Sequence, residues 1–551
     1  MQEDLSNIEL YCDHWKLKIN TSKTVYSIFT RSHKIAKNKL KLTINNKPLC
    51  KEENPTYLGV TLDRQLNLKT HVENVQKKAS KRLNLIKRLA STNWGADKMT
   101  LRSLYLGYVR SVLDYNIVLQ NSCSKATKQS LDKIQNHALR LICGGMKSSP
   151  TSACEISADV EPLEYRRKKA ALELYERAKR MEPKHPCRIL VDKWKHLSRL
   201  QQKSVLHIVE DLKIKHHLPE NRENIQKVDQ NLPPHKILKT PTIRKSLFNG
   251  ANKKSDPNVL KLGALETIDS YPNSWVHTYT DGSAFKATIN AGYGAKITYP
   301  TGIKEEIFDS CGAFCSNYVA EQEAINKACL QIQKRFHDTP SLISNIVFFT
   351  DSLSTLQSLE SGKTDNGTMS QMNYNLNSLI SIYNVEVVLQ WIPGHSGVQG
   401  NESADSLAKT GASLPQPDVP VSMDTVKKMI KSNFKEEWLE NWTNNNTGRA
   451  LYNNMNAPKK KDPINFLVRK DQTTIFRLRT THVQLNGHLN RIKKDHSAQC
   501  RLCGHPNETV EHHLLHCPQL NDLRCSLLLV PAQPSIYNTL LGHSMSSDFN
   551  I

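Results

Sequence analysis

Apolar positions recur along the chain in two distinct periods, and the change from one to the other divides it. In the first part, Val72, Val75, Ala79, Leu83, Ile86 and Ala90 fall three or four residues apart, which predicts a long amphipathic helix. Lys77, Lys78, Lys81, Arg82, Lys87 and Arg88 surround its other faces, so a backbone-binding role for nucleic acid is in view. Ahead of it, the stretch from Leu10 predicts a helical start and then an alternating strand from Val25 to Thr30. The segment L-T-I-N-N-K-P-L predicts a hairpin turning at Asn45 and Asn46. Because the chain enters on a helix with nothing upstream to pack on, it is expected to begin in mid-fold. From about Glu182 to Ser270 the pattern weakens. Lys, Asn, Gln and Pro dominate there, and Leu232, Pro233 and Pro234 break any helix, which predicts a basic linker with short helices between Ile189 and Ile214.

At Trp275 the period becomes two. Strands are predicted from Trp275 to Ser283, Ala291 to Tyr299 and Lys304 to Ser310, at the spacing of an antiparallel meander. A helix follows in which Glu321 shares a face with Ile325, Ala328 and Ile332, while Glu323 points away. The run Asn345 to Thr350 is apolar without interruption, as a strand covered on both faces should be. A last strand, Val385 to Trp391, enters a loop with glycines at 394, 397 and 400. Asn401 is placed to cap the next helix, with Glu402 and Asp405 in its first turn. After Leu414 to Pro420 the chain is again helical and polar, and Trp438 and Trp442 share one face.

Composition narrows the partners. The 551 residues carry 75 Lys plus Arg against 52 Asp plus Glu, a formal charge of +23 and a pI near 9.4. That imbalance points to a polyanion, and nucleic acid fits it better than a membrane. No apolar run is long enough to span a bilayer, and Glu3, Asp4 and Glu9 stand where a signal peptide would be basic and then apolar. An intracellular protein, nuclear or cytoplasmic and not secreted, is expected. The length predicts three or four folded units. Of thirteen cysteines, only Cys500, Cys503 and Cys517 have ligand-like spacing, and the others are expected to be buried reduced thiols; Cys311 and Cys315 lack a second pair nearby.

Two groups of residues carry candidate chemistry. Asp281 follows the first strand, Glu321 lies on a packing face, Asp351 ends the apolar strand, and Asp405 rides the helix after His395. A carboxylate on a packing face is costly unless it is paired or bound to a cation, which makes Glu321 a candidate ligand. Each acid alone has a plain explanation as a turn or a cap. Together with a histidine on a glycine loop they suit metal-assisted phosphodiester chemistry, the carboxylates holding the cation and His395 moving protons. The second group reads C-x2-C-x8-H-x4-C through Cys500, Cys503, His512 and Cys517, a ligand set of the kind zinc prefers, with His513 and His516 as rival ligands.

The order T-D-G-S, A-E-x-x-A, T-D-S and W-I-P-G-H-S-G-V-x-G-N-E-x-A-D resembles a type 1 ribonuclease H domain over about Trp275 to Ala412. The resemblance implies an α/β fold with a five-stranded mixed sheet, three strands antiparallel and two parallel, and flanking helices. It implies that Asp281, Glu321, Asp351 and Asp405 hold two magnesium ions, with manganese as a substitute, and that His395 handles protons. The implied reaction is hydrolysis of RNA in RNA:DNA hybrids chosen by 2′-hydroxyls and groove shape.

W-K-L-K-I-N-T-S-K-T at Trp15 to Thr24, Y-L-G-V-T-L-D at Tyr57 to Asp63 and the helices from about Asp97 to Arg180 resemble the C-terminal part of the reverse transcriptase of non-LTR (LINE, jockey-like) retrotransposons. The family's Tyr-x-Asp-Asp signature is missing. Tyr11, Cys12 and Asp13 precede His14, and no two aspartates are adjacent, so polymerisation is not expected. E-T-V-E-H-H-L-L-H-C-P is similar to the cysteine-histidine knuckle that closes many such elements. The expected organisation is a palm remnant (1–95), a helical thumb-like region (96–181), a basic linker (182–270), the ribonuclease H domain (271–413), a helical connector (414–485), a zinc knuckle (486–525) and a tail (526–551). Hybrid, RNA and single-stranded nucleic acid are the expected partners, and a non-catalytic nucleic-acid binder is the alternative reading.

Overall fold

The computed structural model describes residues 1–195, 204–224, 240–251, 255–362, 367–459 and 462–528. Leu232 to Pro234 and the tail from 529 lie outside the described residues. The chain divides into two compact units, one made of residues 1–171, 197–209 and 434–551, the other of 172–196 and 210–433.

The first unit opens on a helix, Gln2–His14, that buries no side chain. Only Val25–Tyr26 of the expected first strand forms, paired in parallel with Cys50–Lys51. Thr43–Ile44 and Lys47–Pro48 make the predicted hairpin, and Asn45 and Asn46 turn it at φ 51° and 57°. Two consecutive left-handed residues define the tight hairpin turn that asparagine tolerates. Helix α1 (Lys69–Lys87) buries Val72, Val75, Ala79, Leu83 and Ile86, as its period requires. Helix α2 (Lys125–Cys143) is capped by Ser124, whose oxygen accepts from the Thr127 amide, and ends at Gly144 with φ 68°. Its face of Leu131, Ile134, Ala138, Leu139 and Ile142 packs into one core with α1 and with Leu101, Tyr105 and Val109. Helix α3 (Thr151–Ala158) follows and contributes Cys154 and Ala158 to that core.

The second unit is built on a mixed sheet. In chain order its strands are β1 (Thr242–Arg244), β2 (Val276–Phe285), β3 (Ile289–Thr298), β4 (Lys304–Gly312), β5 (Ile346–Thr350) and β6 (Val387–Trp391). In space they run β4-β3-β2-β5-β6-β1, with β4/β3 and β3/β2 antiparallel and the remaining pairs parallel. The expected count of five strands is therefore corrected to six. The added strand comes from the stretch read as linker, where three residues are too few to show alternation. Thr242, Ile243 and Arg244 pair with Val388, Leu389 and Gln390 and cover the backbone edge that β6 would otherwise leave open. All five residues of β5 and of β6 are buried. Helix α4 (Asn317–Asp338) lays Ile325, Ala328, Ile332 and Phe336 against this sheet.

Helix α5 (Gln399–Ser413) lies directly on β3, and glycine permits the approach. A Cβ on Gly292 would sit 2.0 Å from the Ala412 nitrogen, and one on Gly294 would sit 2.4 Å from the Ala404 carbonyl oxygen. Helix α5 starts three residues earlier than expected, with Val398 at its N-cap. Asn401 is thus inside the first turn, buried, and is not the cap. The loop is closed instead by Glu402, whose Oε1 accepts from the Gly397 amide at 3.0 Å.

Helix α6 (Met423–Thr443) carries the chain back to the first unit, where Trp438 and Trp442 are both buried and Trp442 Nε1 donates to the Met455 carbonyl at 3.0 Å. Helix α7 (Arg469–Thr480) then joins the core of α1 and α2. Arg469 donates to the carbonyls of Leu141 and Ile142, satisfying the C-terminal end of α2 from a distant part of the chain. Asp462 accepts from Arg479 at 2.8 and 3.2 Å and lies 3.9 Å from Lys98 Nζ, all three side chains being buried. All thirteen cysteines are free thiols. Cys123, Cys143, Cys154, Cys315 and Cys329 are buried as expected, but Cys50, Cys187 and Cys525 are exposed.

Candidate active site

Three of the predicted acids converge. Asp281 is carried by β2, Glu321 by the first turns of α4, and Asp351 by the residue after β5; one oxygen of each lies within 4.8 Å of the others. The two parallel strands β2 and β5 are in register from Val276↔Ile346 to Thr280↔Thr350, so Asp281 and Asp351 leave neighbouring strands at the same level. Helix α4 brings Glu321 to them because residue 282 has no side chain. A Cβ there would lie 2.3 Å from the Glu321 nitrogen. At Gly394 a Cβ would lie 2.1 Å from Asp351 Oδ2, so a side chain there would displace the Asp351 carboxylate.

The electrostatics of this cluster are unfavourable to three bare carboxylates. Asp281 is 7% exposed, and burial, followed by the charge of Asp351, pushes its carboxyl up to about 7. Glu321 is 8% exposed and is raised well above the usual carboxylate range by burial and then by Asp281 and Asp351. Glu321 Oε2 is buried without a hydrogen-bond partner. An orphaned carboxylate oxygen among like charges is the arrangement a divalent cation relieves, and an all-oxygen donor set suits a hard ion such as magnesium.

Asp405 lies on α5 at the rim and is not within that 4.8 Å group. Its Oδ2 accepts from Lys409 Nζ at 2.7 Å and stands 4.0 Å from His395 Nδ1, while its charge contributes to raising Asp281. His395 is 80% exposed and holds φ at 51°, in the left-handed region that non-glycine residues seldom occupy. Ser396 Oγ donates to the Pro393 carbonyl at 2.8 Å, which helps to fix the loop. Sequence reading missed Lys409 as the partner of Asp405. The i, i+4 spacing on a helix was the available signal.

In the first unit, Cys500, Cys503, His512 and Cys517 place four ligand atoms within 4.8 Å of one another. Cys500 Sγ is 4.0 Å from Cys517 Sγ, and Cys503 Sγ is 3.3 Å from His512 Nε2. A tetrahedral zinc with bonds of about 2.3 Å to sulfur would space its ligands by roughly 3.8 Å, so the four side chains fit that ion. Of the rival histidines, His516 is 59% exposed beside Glu511, and His513 lies outside the group. Glu508, buried, accepts from the Asn486 amide at 2.6 Å and ties helix α8 (Asn486–Arg491) to this loop, a role the sequence pattern did not announce.

The fold and the acids define a class: residues 273–413 match the RNase H family, so the chain contains an RNase H domain. A particular relative is the Drosophila melanogaster protein named "Probable RNA-directed DNA polymerase from transposon BS", 26% identical over 145 residues, which are 26% of this chain and 16% of that protein. Together these matches show an RNase H domain in a chain that is similar, over 145 residues, to a transposon-encoded protein. The chain spans about one sixth of that relative's length by this alignment. Among solved structures it is similar to RNase H1 from the halophilic archaeon Halobacterium salinarum NRC-1, with 20% identity, 25% of this chain and 96% of that chain covered and a TM-score of 0.21. It is also similar to LC11-RNase H1 in complex with RNA/DNA hybrid, with 20% identity, 25% and 99% covered and a TM-score of 0.21. Among the described residues no helix is long and apolar enough to cross a membrane.

Proposed function

We propose that this protein hydrolyses the RNA strand of RNA:DNA hybrids with residues 273–413. The observation that carries the reading is the meeting of Asp281, Glu321 and Asp351 with a buried, unpartnered Glu321 oxygen among them. Asp281, Glu321, Asp351 and Asp405 would hold two magnesium ions, or manganese in their place, whose charge would activate an attacking water and neutralise the leaving 3′ oxygen. Water adds to phosphorus, the P–O3′ bond breaks, and the products are a 5′-phosphate and a 3′-hydroxyl. His395, exposed on its fixed loop beside Asp405, relays a proton between the site and solvent. Lys409 holds the Asp405 carboxylate at the rim.

The first unit is read as the thumb-like and C-terminal part of the same element, with one zinc ion at Cys500, Cys503, His512 and Cys517 and affinity for RNA and single strands. DNA synthesis is outside this reading, because the chain has no adjacent aspartates to anchor it. The deciding experiment is cleavage of a labelled hybrid by the full chain with magnesium and with EDTA. Magnesium-dependent cleavage confined to the RNA strand is expected. A folded protein that binds hybrid and leaves it intact would establish the non-catalytic binder instead.

A further inference from the structure

The first unit contains a polar cavity of about 880 Å³ that has no part in the chemistry above. Three segments distant in sequence wall it: the junction of α2 and α3, the turn at 445–450 and the loop between α7 and α8. Three of its side chains are the arginines Arg140, Arg449 and Arg491, and among the described residues none of them is in an ion pair. Arg140 Nη2 donates only to neutral oxygens, Thr151 Oγ1 at 3.2 Å and the Ser149 carbonyl at 3.4 Å, and its Nε has no partner. Arg449 Nη1 donates to the Thr443 carbonyl at 2.8 Å, its guanidinium stands 4.0 Å from the Tyr452 ring, and its Nε also lacks a partner. Arg491 Nη2 meets His488 Nδ1 at 3.0 Å.

The other titratable groups do not compensate this charge. The one acid in the wall is Glu155, 9% exposed, whose carboxyl has no hydrogen bond or ion pair among the described residues. Burial, with the Asp132 charge, pushes its carboxyl up to about 8, which favours the neutral acid. His482 is held down at about 4 by burial and by His488 and Arg491, so it is neutral. Helix α3 starts at the wall with Pro150 as its N-cap and no side-chain cap, leaving its first amides unpaired by any side chain, and Ser152 Oγ is likewise without a partner. Three cations that line one cavity with no ionised acid beside them favour an anion there.

We propose that this cavity binds a backbone phosphate of a single-stranded nucleic acid, with Arg140, Arg449 and Arg491 as its cations and the first turn of α3 as a further donor. Its volume falls in the range of roughly 300–1,000 Å³ typical of small-ligand sites and admits a nucleotide-sized group. The net charge of +23 supplies attraction over distance, whereas the cavity supplies fixed geometry.

The test is fluorescence anisotropy of the full chain with labelled oligodeoxythymidylate over a range of salt, with dTMP and inorganic phosphate as competitors. Arg491→Ala is the first variant, because Arg491 is exposed and its removal leaves the core untouched. Arg140→Gln is the second, and Lys184→Gln, an exposed charge in the other unit, is the control. Each arginine variant should weaken binding about tenfold and reduce the salt slope by about 0.7, the value for one phosphate contact on a single strand. Losses no larger than that of the lysine control in both arginine variants, with melting temperature retained, would overturn the proposal. Equally, dTMP or phosphate binding as tightly as the oligonucleotide would overturn the strand assignment in favour of a small phosphate ligand.

Discussion

Gly282 and Glu321 are in such close approach that a Cβ on the former would lie 2.3 Å from the backbone nitrogen of the latter. This approach sets how near α4 comes to β2, and hence the distance between the Glu321 and Asp281 carboxylates. Gly282→Ala should displace the helix, destabilise the protein by about 1–3 kcal/mol through overpacking and reduce hybrid cleavage by about 100-fold. Thermal melts and cleavage rates check it. Cleavage at the wild-type rate would show that the helix position is not what assembles the site.

Asp351→Asn keeps the shape of the side chain and removes a charge that raises both Asp281 and Glu321. Hybrid cleavage should be lost, while the melting temperature in EDTA rises, because the charge that disfavours ionisation of Asp281 and Glu321 is gone. The two readouts move in opposite directions, so a merely unfolded variant would not reproduce them. A folded variant that cleaves normally would remove Asp351 from the metal set.

The pH dependence follows from Asp281. Its carboxyl moves from 3.8 in the unfolded chain to about 7 in the fold, so its contribution to stability is fully present below 3.8 and is lost as pH rises through about 7. By linkage the displacement corresponds to roughly 4 kcal/mol. The melting temperature of EDTA-treated protein should therefore fall between about pH 4 and 7.5. Saturating magnesium should remove most of that fall, and the stabilisation by magnesium should grow with pH. In Asp281→Asn the EDTA curve should be flatter. A magnesium effect independent of pH would contradict the assignment.

The sheet and its acids were legible because each leaves a local trace. Alternation marked β2 to β4, the unbroken apolar run marked β5, and a glutamate on the apolar face of α4 stood out against its neighbours. Where pairing is decided by the rest of the fold, the trace disappears. Thr242–Arg244 is a strand because β6 offers it an edge, and three residues have no period. Lys98, Asp462 and Arg479 meet in the interior across 364 positions of chain, counting from 98 to 462, and nothing local in the sequence ties them together. Arg140, Arg449 and Arg491 are scattered in the same way and acquire meaning only as a common wall. Asn401 shows a different failure. It was a sound capping residue by type, but Glu402 closes the loop and the helix starts before it.

The zinc loop is open to a test that separates its histidines. Cys500, Cys503 and Cys517 leave one position in a tetrahedral set, and His512 Nε2 is the nitrogen found 3.3 Å from Cys503 Sγ. So short a loop buries little apolar surface, so that the bound ion replaces a core, and the loop is held otherwise by hydrogen bonds such as Glu508 N to the Ala498 carbonyl at 2.7 Å. Metal analysis of the reduced full chain should give one zinc per chain. His512→Ala and Cys503→Ser should lose it, whereas His513→Ala should retain it. Chelation should lower protection of the amides from 498 to 518 against hydrogen exchange and weaken single-strand binding. Hybrid cleavage measured in magnesium should survive Cys503→Ser, because Asp281, Glu321 and Asp351 share no residue with the zinc set. Zinc retained in His512→Ala and lost in His513→Ala would give the fourth position to His513, and less than about half an equivalent in the unaltered chain would mean that the cysteines meet without a metal.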